Sequence, residues 1–314
     1  MSSDLIIRLA IYIASFVAIW IGAGLIVRTI TKFSYRLHMS SFTVSFVLLG
    51  LLTSIPEFAV GMNAIALKEA EIFVGNLLGG IIVLFLLIIP ILAILGNGIK
   101  LRQSFSQQQL LLILAVIATP AFLILDRRVG NYEALFMILF YLLGVYIIQR
   151  RPTVTEAVEQ KIFKPKISYA TDLGKAGVGA VIVFISSQAI VSQTEYFSGL
   201  LNIAPFYLSL ILLSLGTNLP ELSLAVRSIM HGKKDVAFGD YLGSAAVNTL
   251  LFGVFSLLTQ GDVFTSRDYL STFIFLILGL VLFYFFARSR NTVSRTEGFV
   301  LLLLYVVFLW VELV

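Results

Sequence analysis

Two Pro-Glu pairs, Pro56-Glu57 and Pro220-Glu221, lie inside apolar runs long enough to cross a bilayer. No other feature constrains this chain as strongly. A carboxylate at membrane depth is costly, and it marks a polar path or a bound cation. The preceding proline deletes one helical N–H and frees a carbonyl on the turn before it. In Ser214-Leu215-Gly216-Thr217-Asn218-Leu219-Pro220-Glu221, Gly216 adds backbone freedom just ahead of the proline. The expectation is a broken helix presenting hydroxyl, amide and carboxylate oxygens, a plausible ligand set for a hard cation. Leu52-Thr53-Ser54-Ile55-Pro56-Glu57 repeats the arrangement.

The surrounding composition admits one fold class, an all-α polytopic membrane protein. Of 314 residues 59% are hydrophobic and 12% charged, with mean hydropathy +1.00; soluble domains are about one quarter charged. A transmembrane barrel would alternate apolar and polar residues in ~10-residue strands, which these runs do not. The absence of cysteine excludes disulfides and thiolate metal sites. Only His38 and His231 are present, both in expected loop or helix-end positions, so a histidine-rich zinc or copper site is not expected. Leu5 to Val27 is too long for the apolar region of a signal peptide and reads as a span.

Hydropathy predicts ten spans, near 5–28, 41–66, 72–96, 109–125, 132–149, 173–192, 205–230, 236–258, 269–287 and 297–313. The longest connection, 150–172, carries Pro152, Pro165 and a charged stretch, and reads as a solvated linker. It separates a five-span repeat over 1–149 from another over 173–314. With ten spans, 17 of the 22 Lys and Arg residues fall on one side. That side is expected to be cytoplasmic, with both termini outside and the linker inside. The expected location is the plasma membrane of a prokaryote, with lipid and cations as partners and no nucleic acid. Oligomeric state is not readable from the chain.

A shift of 164 residues superimposes spans 2–3 on spans 7–8 without a gap. Thr53 meets Thr217, Pro56 meets Pro220, Glu57 meets Glu221, Gly75 meets Gly239, and Gly79 meets Gly243. Because each half has an odd number of spans, the second half must enter from the opposite side. Inverted repeats with discontinuous helices near the midplane mark secondary transporters.

Leu-Gly-Thr-Asn-Leu-Pro-Glu at 215–221, then Gly-Asp-Tyr-Leu-Gly-Ser at 239–244, resembles an α-repeat of the calcium:cation antiporter superfamily, which includes the sodium/calcium exchangers. Thr-Ser-Ile-Pro-Glu at 53–57 and Gly-Asn-Leu-Leu-Gly-Gly at 75–80 resemble the other repeat. The two motif regions span 42–84 and 206–248. The resemblance implies four central helices lining the ions, with spans 1 and 6 as two long tilted helices sliding across them. It also implies an antiporter rather than an enzyme, without a cofactor, exchanging Ca²⁺ for Na⁺ by alternating access.

Matched positions imply Thr53, Ser54 and Glu57 as ligands from the first repeat, and Thr217, Asn218, Glu221 and Ser244 from the second. The carbonyls of Gly50 and Ser214 are candidates for the monovalent ion. Two opposed glutamates supply the charge that neutralises one Ca²⁺. The family's usual Gly-Ser-Asn is Gly79-Gly80-Ile81 in the first repeat and Gly243-Ser244-Ala245 in the second. One turn beyond, Leu84 stands opposite Asn248. The expected site is asymmetric, with two carboxylates, and its second-repeat side supplies more of the ligands.

Plainer roles stand beside these. Thr53, Ser54, Thr217 and Asn218 can satisfy carbonyls released by the prolines. Asn76 and Asp240 fall near expected helix starts, where structural capping is as natural as ion contact. Ser244 and Asn248 can serve as interhelical glue, and the motif glycines as points of close helix approach. Proton coupling, Ca²⁺/H⁺ or another cation/H⁺ exchange, is the nearest alternative, although neither repeat has the Gly-Asn-x-x-Glu of that branch. A transport-inactive ion-binding homologue is another. An intramembrane aspartyl protease, suggested by Gly239-Asp240, lacks the second membrane-depth aspartate that its chemistry requires.

Overall fold

The computed structural model describes residues 3–34, 46–47, 50–100, 107–149, 169–222, 225–226, 234–259, 263–264, 270–290 and 292–313. Most of the expected linker, 150–168, lies outside them, as do His38, His231 and residues 42–45 and 48–49 of the first motif region. The end of the linker is helical, because α8 begins at Tyr169.

All ten expected crossings have helix. The first is α1 (Ser3–Ser34), and the second is broken into α2 (Gly50–Thr53) and α3 (Ile55–Ala66). The third runs through α4 (Ala70–Val83), a π-helical turn at Leu84–Ile88 and α5 (Ile89–Leu95). Helices α6 (Gln107–Leu123) and α7 (Asn131–Gln149) complete the first half. The second half opens with α8 (Tyr169–Leu201). Its broken crossing comprises α9 (Pro205–Leu208), a π-helical turn at Ser209–Leu213, α10 (Ser214–Thr217) and helix resuming over 219–222. Helices α11 (Lys234–Leu258), α12 (Leu270–Arg290) and α13 (Arg295–Leu313) follow. Seven of these helical stretches are long and apolar enough to cross a membrane unbroken.

Two short strand pairs fix the sidedness of the loops. β1 (Ile99–Lys100), after the third crossing, pairs antiparallel with β4 (Thr292–Val293), after the ninth. β2 (Arg128–Val129), after the fourth, pairs with β3 (Val263–Phe264), after the eighth. Each pair joins loops of the same parity, as ten crossings require. Exchanging the two repeats converts one pair into the other on the opposite side, which is the mark of an inverted repeat.

The layers follow from burial. In α4 every residue from Ile72 to Val83 is buried, so this helix has no lipid face. It packs against α9, the following π-helical turn, α10 and α11. Phe73 meets Phe252 and Phe255 of α11 edge-on, at 5.8 and 5.4 Å between centroids. Outside this core, α7 and α13 turn Leu135, Leu139, Leu303 and Trp310 outward, as a hydrocarbon environment demands.

Helices α1 and α8 are longer than predicted, with 32 and 33 residues. At 1.5 Å per residue each extends about 50 Å, well beyond a ~30 Å hydrocarbon core, so each must tilt or protrude. They pack against each other along much of their length. The closest approach is reciprocal: a Cβ on Gly22 would lie 2.8 Å from the Gly179 carbonyl oxygen, and one on Gly179 would lie 2.6 Å from that of Gly22.

Candidate ion-binding site

Both broken crossings are built the same way. At the first break Ser54 has φ −79° and ψ 9°, and at the second Asn218 has φ −85° and ψ 12°. The helix resumes through Phe58 N–H to Ser54 O at 3.0 Å and Leu222 N–H to Asn218 O at 3.1 Å. Pro56 and Pro220 donate nothing at these turns, so the short side chains around them supply donors. Ser54 Oγ donates to Gly50 O at 2.8 Å, and Asn218 Nδ2 donates to Ser214 O at 2.8 Å. The Gly50 and Ser214 carbonyls, expected to face a monovalent ion, therefore carry several local donors, since the Thr53 and Thr217 hydroxyls also reach them. The plainer expected role of these four side chains, satisfying carbonyls near the prolines, is thus present.

Between the breaks the structure brings together all the expected side chains. Glu57, Glu221, Thr53, Thr217, Ser54, Asn218, Ser244 and Asn248 are each at most 2% exposed. Ser244 Oγ donates to Glu221 Oε1 at 2.9 Å and lies 3.2 Å from Ser54 Oγ. Asn218 Nδ2 reaches Glu57 Oε1 at 3.4 Å, and Asn248 Nδ2 donates to Leu77 O at 3.1 Å. These contacts link the two repeats, so neither half forms the site alone.

Two residues with plainer expected roles belong to the same cluster. Thr53 Oγ1 donates to Asp240 Oδ1 at 3.1 Å, and Thr217 Oγ1 donates to Asn76 Oδ1 at 3.1 Å. The pairs are related by the repeat, and both partners are fully buried. Asp240 lies six residues inside α11, beyond the reach of a helix-start role. Asp240 therefore shares this buried polar cluster with the two glutamates expected there, Glu57 and Glu221. The signal was present in the chain, because Asn76 and Asp240 are matched by the same 164-residue shift as the glutamates.

Leu84 opens a π-helical turn and is buried in the apolar core. Gly80 makes room instead: a Cβ there would lie 2.9 Å from Asn248 Nδ2 and 3.3 Å from Asn218 Nδ2. The space left by the first repeat's missing side chain is occupied by the second repeat's amides. The glycines at 79 and 243 are contact points, since a Cβ on either would run into the carbonyl of Leu210 or Phe46.

The chemistry of the cluster is a surplus of acceptors. Glu57 Oε2, Glu221 Oε2, Asp240 Oδ2, Asn218 Oδ1 and Asn248 Oδ1 are buried without a hydrogen-bond partner, against one unpartnered donor in the cluster, Asn76 Nδ2. Such groups are expensive unless something positive meets them. Among the described residues no three His, Cys, Asp or Glu side chains close into a ready metal cluster. The carboxylates are instead separated by hydroxyls and amides, so an ion here would take mixed oxygen ligands.

The sequence pattern of the family described as sodium/calcium exchanger protein matches residues 7–149 and 173–314. The chain belongs to that family. This exchanger is 24% identical to the putative antiporter CaxA of Alkalimonas amylolytica over 91% of its own length and 94% of that protein. It is 24% identical to inner membrane protein YrbG of Escherichia coli, covering 69% of this chain and 70% of YrbG. It is 28% identical to the sodium/calcium exchanger MaX1 of Methanosarcina acetivorans over 45% of this chain and 40% of MaX1. Among solved structures, the H⁺/Ca²⁺ exchanger CAX superposes with TM-score 0.79 at 14% identity, covering 96% of this chain and 82% of CAX. The sodium-calcium exchanger NCX_Mj superposes with TM-score 0.67 at 17% identity, covering 96% and 97%. The exchanger is an integral membrane cation antiporter with the family's ten-helix inverted repeat, and not an enzyme. The protease alternative is therefore set aside.

Proposed function

We propose that this exchanger moves Ca²⁺ against Na⁺ by alternating access, with the ions bound between Glu57 and Glu221. The observation that carries this reading is the set of buried, unpartnered oxygens shared between the two repeats, both glutamates included. Ca²⁺ takes six to eight oxygens, a demand the carboxylates, Thr53, Ser54, Thr217, Asn218, Ser244 and Asn248 can meet together. A bare cluster of buried carboxylates cannot cross a low-dielectric core readily, so either Ca²⁺ or compensating Na⁺ must accompany each passage. That requirement couples the two fluxes. Helices α1 and α8, in contact along their lengths, slide as one unit over the four central crossings. The basic side faces the cytoplasm, with both termini outside.

Proteoliposomes loaded with Na⁺ test the reading. An outward Na⁺ gradient should drive radiolabelled Ca²⁺ uptake, while a pH gradient alone should not. Glu57→Gln and Glu221→Gln should each abolish uptake. Uptake driven by protons instead would keep the site and change the coupling ion. Folded protein with no flux under either gradient would overturn the reading in favour of a transport-inactive homologue.

A further inference from the structure

Asp240 is, with Glu57 and Glu221, one of three buried carboxylates in the cluster that each keep one oxygen without a partner. It is fully buried, and Oδ2 has no partner. No cationic side chain pairs with it among the described residues. Its only described donor is the Thr53 hydroxyl, at 3.1 Å from Oδ1. That hydroxyl has one hydrogen and several claims on it, since Gly50 O lies 3.4 Å away and the Glu221 carboxylate also faces it. Glu221 already takes the Ser244 hydroxyl. Acceptors outnumber donors here, and two of them are carboxylates.

The repeat supplies an internal control. The matched position in the first half is Asn76, whose Oδ1 accepts from Thr217 in the same geometry. An amide is therefore sufficient to hold the threonine. The aspartate adds a negative charge that this hydrogen bond does not need. When all three carboxylates are ionised their charge exceeds that of one Ca²⁺ by one, and Asp240, beside Thr53 and Glu221, is the carboxylate the repeat does not duplicate.

We propose that Asp240 is a third charged ligand of the exchanger, binding a monovalent cation together with Thr53 and Glu221. The proposal rests on the reading of this cluster as an exchange site, and it assigns the monovalent ion to one edge. Asp240 and Glu221 would flank that ion, while Glu57, Asn218 and Asn248 face the other edge of the cluster.

The test is Asp240→Asn, which retains the acceptor for Thr53 and copies the Asn76 arrangement. In purified wild type and variant, Na⁺ protection against thermal unfolding is titrated with choline chloride as the ionic-strength control. Removing one charged ligand should shift Na⁺ half-saturation upward by about tenfold or more, with a smaller change for Ca²⁺. In proteoliposomes, the Na⁺ moved per Ca²⁺, read from the reversal potential of Ca²⁺ flux, should fall. Na⁺ dependence and coupling ratio identical to wild type would overturn the proposal. If Asp240→Asn does not fold, Asp240→Glu keeps the charge but moves it by one methylene, and should weaken Na⁺ protection more than Ca²⁺ protection; an unchanged Na⁺ titration there also overturns it. Loss of Ca²⁺ flux in the wild type itself would count against the exchange reading instead, so the two failures are distinguishable.

Discussion

Gly80 of α4 lies against Asn248 of α11, so close that a Cβ at position 80 would come within 2.9 Å of the Asn248 amide nitrogen. The same Cβ would lie 3.3 Å from the Asn218 amide. Asn248 has little room to yield, because its Nδ2 is also tied to Leu77 O. Gly80→Ala should therefore displace both amides and weaken Ca²⁺ transport, raising the half-saturating concentration about tenfold. The double change Gly80→Ala with Asn248→Ala should be less impaired than the two single effects combined. Radiolabelled uptake across a Ca²⁺ series measures this, and additive effects would show that the contact does not matter.

The two glutamates should trade stability against function. Each has one oxygen bonded and one buried without a partner. An uncompensated buried charge costs several kcal/mol, and an amide of the same shape costs less. Glu57→Gln and Glu221→Gln should thus melt higher than wild type in cation-free buffer while losing flux. Addition of Ca²⁺ should raise the wild-type melting temperature and leave the variants nearly unmoved. Variants that melt lower than wild type without cation would show that the carboxylates stabilise the apo fold.

Much of this architecture was legible in the chain because lipid imposes a simple rule: backbone must be helical wherever it crosses. Apolar runs therefore marked all ten crossings. Their lengths were less clear, as at α8, which continues to Leu201 rather than ending near 192. Residues such as Thr194 and Ser198 lowered the local hydropathy, yet both are buried, with Thr194 bonded to Tyr12 of α1 at 3.0 Å. The glutamates and their neighbours stood out through the repeat. Asp240 was harder to place, because sequence position near a helix start gives no depth. Its contact with Thr53 depends on how α11 packs against the first break, and that is a tertiary fact. The reach of Asn248 and Asn218 toward Gly80 is another.

Glu69 offers a pH dependence outside the membrane-spanning segments. It occupies the turn between α3 and α4, where partial burial and then the nearby charges of Glu195 and Glu71 raise its carboxyl above the usual range. A carboxyl with a raised folded-state pKa favours folding most when it is protonated. That contribution is present below its unfolded pKa and is lost as pH rises through the folded one. Glu69→Gln should therefore raise the melting temperature slightly at pH 7 and leave it unchanged at pH 4. Because the residue is only partly buried, solvent screening keeps the effect small. An equal change at both pH values would point to a packing effect rather than to charge.

The reciprocal contact of Gly22 and Gly179 predicts a defect in motion rather than in binding. Each glycine meets the other's backbone carbonyl, so a methyl group on either must push α1 and α8 apart. Neither residue is among the candidate ion-site side chains, which lie at the two helix breaks and on α11. Overpacking of this kind costs about 1–3 kcal/mol where the backbone must shift. Gly22→Ala or Gly179→Ala should lower maximal Ca²⁺ flux several-fold, because the pair would no longer move as one body. Ca²⁺ half-saturation of thermal protection should stay near the wild-type value. A loss of binding in step with flux would place the defect at the ion site, and unchanged flux would show that the two helices need not move together.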